Sequence, residues 1–287
     1  MTMLRSLLFV PGNKQNMLEK SLEFAPDVVL PDMEDSVPDA EKAAARDTVR
    51  KFLPRLLAGP SHVMPRVNSL ETPWTEEDLA AVVTPGLYGI SIGKVRSAAD
   101  ISTVSNMMAK LETRAGMPVG ELRLIPWLET TQAIVHCFEI CSASSRIVGV
   151  AFGGEDFTND LGVERLDDEN QLLFARSAFC IAARAANVLA FETPFFKFRD
   201  DAALRADSLA AKRLGFKGRF AIHPAQLATI EQCFRPSAAE IEQARRVVAA
   251  YEAAEREGRG STSLDGLVID VPVVKRARGV LALADED

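Results

Sequence analysis

Short apolar runs with β-forming composition recur eight times along this 287-residue chain, and this repetition limits its fold more than any other feature. Nearly every run ends in proline, glycine or a polar cluster. The segments between the runs are rich in alanine, leucine, arginine and glutamate, with apolar residues three or four positions apart, as in helices. The eight runs are Ser6–Val10, Val28–Leu30, His62–Val67, Tyr88–Ile92, Leu122–Leu128, Ile147–Phe152, Asn187–Phe191 and Arg219–Ile222.

Strands that alternate with helices predict a parallel sheet, and eight such units in about 250 residues are typical of a closed (βα)8 barrel. A doubly wound open sheet is the structural alternative, but eight units fit it poorly. Helices are predicted at Lys42–Leu57, Leu173–Ala186 and Ala202–Leu214. We therefore expect an α/β protein with a TIM-barrel catalytic domain over residues 1–235. A C-terminal helix, linker and lid segment is expected over residues 236–287.

Polar and ionisable side chains follow nearly every predicted strand, where the loops of a (βα)8 barrel build an active site. Helix capping explains part of this pattern, and Thr130 and Asn13 fit that role. Arg66 and Lys94 cannot be caps, because a cation opposes the dipole at a helix N-terminus. We expect these two cations to hold anions. The other strand-end residues are Asp32, Glu34, Asp35, Asn68, Glu129, Glu155, Asp156, Glu192 and His223.

Glu129 and Asp156 stand 27 residues apart, each just behind an apolar run. That interval is one strand plus one returning helix, and the ends of neighbouring parallel strands lie about 5 Å apart. Two carboxylates so placed can hold one divalent cation. Hard carboxylate oxygens without histidine or cysteine nearby suit Mg²⁺, with Mn²⁺ as a substitute, better than zinc or copper. The alternative is that they are two unrelated surface acids.

A magnesium ion held by two protein carboxylates keeps positions for a chelating substrate such as a 2-oxo or 2-hydroxy acid. As a Lewis acid it stabilises an alkoxide or enolate, which favours making or breaking a carbon–carbon bond next to a carbonyl. The chain has no phosphate-binding loop of the G-x-x-x-x-G-K-[ST] type, no G-x-G-x-x-G and no G-x-S-x-G. Phosphoryl transfer, dinucleotide binding and serine hydrolysis therefore lack support.

Charge and composition argue for a small-molecule substrate. The formal net charge of -7 disfavours nucleic acid as a partner. No apolar run approaches the roughly 20 residues that cross a bilayer, so no membrane partner is expected. The four cysteines form neither a CxxC pair nor a secreted framework, which indicates a reducing compartment. We expect the cytoplasm, or the mitochondrial matrix if a longer precursor is trimmed.

Six separated motifs of this chain resemble the citrate lyase beta-subunit-like family, within the broader HpcH/HpaI aldolase group. The resemblance runs in order from residue 4 to about residue 280, which makes it specific for the family and much less specific for the substrate. The motifs are Leu4–Asn13, Asp32–Val37, Pro65–Asn68, Leu128–Thr130, Gly154–Asp156 and Ala221–Pro224.

The resemblance implies a Mg-dependent carbon–carbon lyase that cleaves or forms a 3-hydroxyacyl-CoA thioester such as citramalyl-, malyl- or citryl-CoA. The products of cleavage are a 2-oxo acid and acetyl-CoA. By position, Glu129 and Asp156 match the magnesium ligands, with Glu129 also at the substrate, and Arg66 matches the arginine that contacts the oxo acid and the thioester oxygen. The positions that contact substrate or coenzyme A in the family correspond to Phe9, Lys20, Ile222 and His223. The alternative for His223 is a strand-end residue bonded to backbone.

The C-terminal stretch is expected to form an arm beyond the barrel. Ser237–Glu240 is a capping-box pattern that opens a helix to about Glu257. A linker over 258–263, an apolar strand-like piece over Leu267–Pro272 and a last helix to about Ala284 are expected to follow. In relatives with lyase or malate-synthase-like action, the aspartate that Asp270 matches lies over a neighbouring subunit's metal. The resemblance thus implies a catalytic Asp270 in a homotrimer or homohexamer. The alternative is a turn acid before proline.

Two other functions stay open. The first is a class II-type aldolase acting on free 2-oxo acids. In those relatives the acidic motif carries a histidine where Asp35 stands, and its absence counts against that activity. The second is the beta subunit of a multi-subunit citrate lyase complex, acting on an acyl-carrier partner. The dense acidic cluster Asp32, Glu34 and Asp35 is expected to hold a proton on one of its members or to attract Arg and Lys partners, and so to support the metal site from beside it.

Overall fold

A closed barrel of eight parallel strands is the main feature of the computed structural model, which describes residues 3–166 and 170–285. The predicted (βα)8 barrel is therefore confirmed. Pairing of β1 with both β2 and β9 closes the sheet. The strands are β1 Ser6–Pro11, β2 Val28–Asp32, β3 His62–Val63, β4 Arg66–Val67, β5 Gly89–Ile92, β6 Arg123–Leu128, β7 Gly149–Phe152, β8 Leu189–Glu192 and β9 Gly218–Ala221.

The predicted strand His62–Val67 is divided into β3 and β4 at Met64 and Pro65. Proline has no N–H to donate to a ladder, so a break at this point has a local cause. The two pieces together form one wall of the barrel, since β3 pairs with β2 and β4 pairs with β2 and β5. Asp32 and Arg66 are register partners across this wall, which sets two charged residues side by side at the strand ends.

Helices return the chain between strands. The predicted helix Lys42–Leu57 has the same bounds in the structure, and the other two predicted helices agree within one residue. The helices are α1 Gln15–Ser21, α2 Lys42–Leu57, α3 Thr75–Val82, α4 Ala98–Arg114, α5 Thr131–Val135, α6 Cys137–Cys141, α7 Gly154–Leu161, α8 Leu173–Ala185, α9 Asp201–Leu214, α10 Leu227–Phe234, α11 Ala238–Arg256 and α12 Val271–Asp285. Among the described residues, no helix is long and apolar enough to cross a membrane.

Apolar side chains fill the barrel interior, as the inward-facing layers of such folds require. Aromatic rings form the layer nearest the site. The Trp127 and Phe220 ring centroids are 4.3 Å apart, and Phe9 stacks on Phe220 at 5.2 Å. This layer gives the polar mouth of the barrel an apolar floor. The buried cluster contains Leu4, Leu7, Val28, Leu30, Met64, Ile125, Trp127, Ala151, Leu189, Phe191 and Phe220.

The chain divides into two compact units, residues 1–230 and 231–287. In the second unit α11 packs on α12 around a small core that includes Val247, Tyr251 and Ile269. The predicted capping box is present: Ser237 Oγ accepts from the Glu240 N–H at 3.2 Å, and the Glu240 carboxylate accepts from the Ser237 N–H at 2.8 Å. The catalytic and lid roles of the two units stay a prediction.

The predicted end of the linker over 258–263 is wrong, because Thr262–Leu264 forms a strand, β10. It pairs antiparallel with β11, Leu267–Ile269. The two strands are joined by Asp265 and Gly266, whose φ angles of 52° and 77° fit a two-residue hairpin turn. Asp-Gly between short apolar runs is the sequence signal for this hairpin.

Candidate functional site

Arg66 lines the mouth of the barrel and is held on one edge by Asp32. Its Nε and Nη2 donate to the two Asp32 carboxylate oxygens at 2.7 and 2.6 Å. The other edge is held more loosely, because Nη1 lies 3.2 Å from carboxylate oxygens of both Glu34 and Asp35. The Phe9 ring lies 4.5 Å from the guanidinium carbon. Because Asp32 fixes Nε and Nη2, Nη1 is the nitrogen that remains to donate to a substrate.

Glu129 directly follows β6, and only 2% of its surface is exposed. Its Oε1 accepts a 2.6 Å hydrogen bond from the main-chain N–H of Lys94. Lys94 takes a left-handed φ of 56°, which is uncommon for a residue other than glycine. A Cβ at Gly153 would lie 2.4 Å from Glu129 Oε2. Glycine at position 153 thus makes room for the carboxylate.

The acidic cluster attracts cationic partners, as its composition predicts. Lys94 Nζ lies 3.0 Å from Asp35 Oδ1 and 3.4 Å from Glu34 Oε1. Lys42 Nζ donates to the main-chain oxygens of Met33 and Glu34 at 3.1 and 2.7 Å, which fixes the segment after β2. Glu34 is buried, whereas the Asp35 side chain is about half exposed. The cluster is therefore an internal ion network with one edge at the cavity.

Burial and like charge control protonation at this mouth. Burial, together with the Glu34 and Asp156 carboxylates, raises the pKa of Glu129 to about 8. Burial also raises the pKa of Glu34. Burial and the nearby Asp35 carboxylate raise the pKa of Asp156. Burial acts in the same direction on Asp32, but the paired Arg66 guanidinium outweighs it and holds the pKa of Asp32 below its usual range. Three of the five carboxyl groups, those of Glu34, Glu129 and Asp156, therefore keep their protons to higher pH than free carboxyl groups do.

The raised pKa of Glu129 predicts how the stability of the metal-free protein depends on pH. Its carboxyl group titrates near 4.5 when unfolded and near 8 when folded. Its contribution to stability is therefore fully present below pH 4.5 and is lost as pH rises through 8. In the presence of a chelator, urea denaturation at several pH values should show wild type losing stability relative to Glu129→Gln across this window. Parallel curves for the two proteins would contradict the raised pKa.

Asp156 lies in the first turn of α7, where the helix dipole favours a carboxylate. It lines, with Glu129 and Arg66, a cavity of about 340 Å³ at the barrel mouth. The structure therefore brings together the two predicted magnesium ligands and the predicted arginine. Among residues 3–166 and 170–285, no group of three or more His, Cys, Asp or Glu side chains is arranged to hold a metal ion. A cation on two carboxylates would complete its coordination with water or substrate.

A second cavity of about 440 Å³ lies beside β1 and α1 and is lined mainly by apolar side chains. Phe9 and Ile222 line both cavities, so the two adjoin at these residues. The apolar cavity therefore offers a route from the carboxylate-lined mouth along the first strand–helix unit. The four residues predicted to contact substrate or coenzyme A all line this second cavity: Phe9, Lys20, Ile222 and His223.

Several strand-end polar residues hold the fold together. Thr130 caps α5 by accepting from the Ala133 N–H at 3.1 Å, as expected. Asn13 is not a side-chain cap, because its amide donates to Glu41 at 2.6 Å. His223 Nδ1 accepts from a main-chain N–H at 3.1 Å, which fits the backbone-bonded alternative.

Two more polar strand ends are tied to helices. The Asn68 amide donates to Asp78 at 2.6 Å, which joins β4 to α3. Glu192 is buried in an ion pair with Arg176 of α8, at 2.5 and 2.9 Å. The sequence alone does not predict these pairs. The partner of each strand-end residue lies on a helix, and only the packing of that helix determines which of its residues faces the strand end.

Asp270 lies in the second unit, just before α12. Its Oδ1 accepts from the Val273 N–H at 3.3 Å, and its main-chain oxygen accepts from the Val274 N–H at 3.0 Å. This is the geometry of a helix N-cap, which agrees with the turn-acid alternative at the local level. The catalytic role of Asp270 stays a prediction.

Comparison with known proteins identifies relatives over nearly the whole chain. A family model described as HpcH/HpaI aldolase/citrate lyase matches residues 5–224. Citrate lyase subunit beta of Escherichia coli (strain K12) is 37% identical over 281 residues, covering 98% of this chain and 93% of that protein. A (3S)-malyl-CoA thioesterase of Cereibacter sphaeroides (strain ATCC 17025 / ATH 2.4.3) is 34% identical over 281 residues, covering 98% and 94%.

Solved structures share the fold. Protein CitE from Mycobacterium tuberculosis, crystallised with magnesium, acetoacetate and coenzyme A, has a TM-score of 0.82 and 28% identity, covering 99% of both chains. A citrate lyase from Burkholderia xenovorans LB400 has a TM-score of 0.86 at 19% identity, covering 99% of this chain and 92% of that one. At that identity the second likeness shows the fold alone.

Proposed function

This chain belongs to the HpcH/HpaI aldolase/citrate lyase family, and on that basis we propose that it is a magnesium-dependent lyase that cleaves or forms a 3-hydroxyacyl-CoA thioester. Cleavage would give a 2-oxo acid and acetyl-CoA. One observation carries the proposal: the cavity lined by Glu129, Asp156 and Arg66 adjoins an apolar cavity at Phe9 and Ile222. The first cavity offers charged partners for a small anionic group, and the second offers apolar walls for a thioester arm.

The donor set fits magnesium. Glu129 and Asp156 offer only carboxylate oxygens, the ligands this ion prefers. Both carboxyl groups have raised pKa values, caused chiefly by burial, so their charged forms are poorly stabilised by the protein alone. A bound divalent cation would stabilise the two carboxylates. When bound, it would polarise the hydroxyl and carboxylate oxygens of the oxo-acid half and favour loss of the hydroxyl proton.

The protein side chains would then act on the thioester half. Loss of the hydroxyl proton to solvent and breakage of the carbon–carbon bond leave a 2-oxo acid and the enolate of acetyl-CoA. Arg66 is the donor for the enolate oxygen, because Asp32 fixes one edge of its fork while Nη1 keeps looser contacts. The enolate carbon must then gain a proton. In the direction of bond formation, the same group would remove a methyl proton from acetyl-CoA.

Asp270 is our candidate for that acid and base, acting on the site of a neighbouring subunit. We expect Asp270→Asn to lower methyl proton exchange of acetyl-CoA in D₂O by about 10²–10⁴-fold, because proton transfer is removed. Magnesium affinity, measured by calorimetry, should not change. The matched control is Asp265→Asn, a turn acid of the same unit that pairs with Arg246 at 2.8 Å. Normal exchange by Asp270→Asn would remove Asp270 from the mechanism.

The action across subunits has its own test. Glu129→Gln and Asp270→Asn chains, each inactive, would be mixed under conditions that let subunits exchange. Partial recovery of cleavage is expected, because some sites would combine an intact Glu129 from one chain with an intact Asp270 from another. No recovery in verified mixed oligomers would place both groups in one chain.

The proposed function is tested by a cleavage screen of malyl-, citramalyl-, methylmalyl- and citryl-CoA, with magnesium and with a chelator. A 2-oxo acid and acetyl-CoA formed only with magnesium are the expected products. Free coenzyme A and a hydroxy acid would indicate thioester hydrolysis instead, the activity named for the Cereibacter relatives. Cleavage of free 2-oxo acid aldols without a thioester would favour the class II-type aldolase.

A second function is favoured by the names of several relatives. Citrate lyase subunit beta proteins of Leuconostoc mesenteroides subsp. cremoris and Escherichia coli (strain K12) are 35% and 37% identical over 98% of this chain. The chain would then act on a citryl group carried by a partner protein rather than by coenzyme A. Cleavage of a carrier-bound citryl thioester, with no cleavage of any CoA thioester, would support this alternative.

A further inference from the structure

Helix α7, which carries Asp156, begins without a capping side chain of its own. Its N-cap residue is Gly153, which offers no side-chain oxygen to the free N–H groups of the first turn. Glycine is required at this position, because a Cβ there would collide with the Glu129 side chain. The space that one predicted magnesium ligand needs therefore removes the usual N-cap from the helix of the other ligand.

A threonine from the neighbouring strand supplies the missing oxygen. Thr193, the first residue after β8, accepts a 3.3 Å hydrogen bond at its Oγ1 from the main-chain N–H of Gly154. Gly154 is the first residue of α7, and Asp156 follows in the same turn. Both Thr193 and Gly154 are buried. The Thr193 hydroxyl thus joins the start of α7 to the end of β8.

Thr193 is itself held from both sides along the chain. Its N–H donates to Glu192 Oε1 at 2.9 Å, and Glu192 is fully buried in its ion pair with Arg176. The next residue is Pro194, whose ring restricts the main chain of Thr193 to extended conformations. The β-branched side chain of threonine has few rotamers, so a fixed main chain also fixes the direction of its hydroxyl. Thr193 is therefore a rigid attachment point for α7.

A second contact holds the other end of α7. Asp160 accepts hydrogen bonds of 2.6 Å from the N–H and from the hydroxyl of Thr131, at the start of α5. This contact is exposed to solvent, whereas the contact at the N-terminal end of α7 is buried. Helix α7 has only eight residues, which is about two turns. The separation of Asp156 from Glu129 therefore depends on where the two ends of α7 are held.

We propose that Thr193 is a positioning residue for the magnesium site: its hydroxyl caps α7 from the neighbouring strand and so fixes Asp156 relative to Glu129. Magnesium demands near-ideal octahedral geometry, with oxygen ligands at about 2.0–2.1 Å, so a small displacement of one carboxylate weakens binding. Side chains that orient metal ligands typically contribute about 10–100-fold to metal affinity. This inference rests on the magnesium ligands of the proposed function and not on the choice of thioester.

The experiment measures magnesium binding by calorimetry, without substrate, for wild type and for Thr193→Val. Valine keeps the shape of threonine but removes the oxygen that accepts from the Gly154 N–H. We therefore expect the magnesium dissociation constant of Thr193→Val to rise by about 10–100-fold. Thr193→Ser keeps the hydroxyl and should bind magnesium within about threefold of wild type.

The matched control is Thr75→Val. Thr75 is as buried as Thr193 and is also beside a helix N-terminus, that of α3. Its hydroxyl donates to the main-chain oxygen of Ser69 at 2.6 Å, outside both cavities. Thr75→Val therefore also loses one buried hydrogen bond, and its urea denaturation midpoint should fall as that of Thr193→Val does. Its magnesium affinity should equal that of wild type.

The outcomes separate this inference from the proposed function. A wild-type protein that does not bind magnesium would contradict both. If wild type binds magnesium and Thr193→Val binds it equally well, or if Thr75→Val loses as much affinity, only the role of Thr193 is overturned. A change confined to KM would overturn it too, because Thr193 lines the cavity and would then contact the substrate.

A further variant covers the case in which Thr193→Val fails to fold, which circular dichroism would show. Thr193→Ala removes the same oxygen without placing a methyl group against the Gly154 N–H. The same loss of magnesium affinity is expected of it, about 10–100-fold. Normal magnesium affinity in a folded Thr193→Ala would overturn the proposal.

Discussion

Replacement of Glu129 by Gln is expected to abolish magnesium-dependent cleavage while making the metal-free protein more stable. Glutamine keeps the shape and can still accept from the Lys94 N–H, but it cannot offer a charged ligand. The magnesium dissociation constant should rise at least about a hundredfold. Stability at pH 8, measured by urea denaturation with a chelator, should rise by about 1–3 kcal/mol, because glutamine removes a charge that burial destabilises.

The opposite changes in affinity and stability make this prediction specific. A variant that merely damages the fold would lose both binding and stability. Glu155→Gln is the matched control, because Glu155 precedes Asp156 but is exposed and lies beside Arg165. That variant should bind magnesium and turn over like wild type. Unchanged magnesium binding by Glu129→Gln, measured by calorimetry, would exclude Glu129 as a ligand.

The strand ends of the barrel could be predicted from sequence because they combine two independent signals. An apolar run that stops at a polar residue marks a strand end, and parallel topology then places all such residues at one mouth. Glu129, Asp156 and Arg66 were found in this way and line one cavity. Helix Lys42–Leu57 was predictable for a similar reason, because the spacing of its apolar residues and the polar residues before it both indicate a helix.

The detailed contacts of the site could not be predicted, because they depend on main-chain dihedral angles and on the close approach of side chains to the main chain. The left-handed φ of Lys94 aims its N–H at Glu129, and nothing in the local sequence requires that conformation of a lysine. A Cβ at Gly93 would lie 2.5 Å from Glu34 Oε1, yet a glycine before a lysine has no distinctive pattern. Such contacts arise only when three strand ends are packed together.

Arg66→Lys is expected to lower turnover by about 10²–10³-fold, because it removes the planar fork that donates to the enolate oxygen. Lysine keeps the positive charge among Asp32, Glu34 and Asp35. Its single ammonium group, however, cannot donate hydrogen bonds to both Asp32 oxygens and to a substrate at the same time. Stability should fall by about 1–3 kcal/mol, because one buried carboxylate oxygen loses its charged partner. The measurements are kcat and KM for the active thioester, and urea denaturation.

A second buried arginine in the chain provides a matched control for the loss of stability expected of Arg66→Lys. Arg146 donates to both carboxylate oxygens of Glu112 at 2.6 Å, and the pair is as buried as Arg66 with Asp32 but lies outside both cavities. Arg146→Lys should therefore cost a similar amount of stability and leave turnover within about threefold of wild type. If both variants lose turnover equally, Arg66 acts only through the fold. If Arg66→Lys alone loses turnover, the Nη1 edge of the Arg66 guanidinium contacts the reacting thioester.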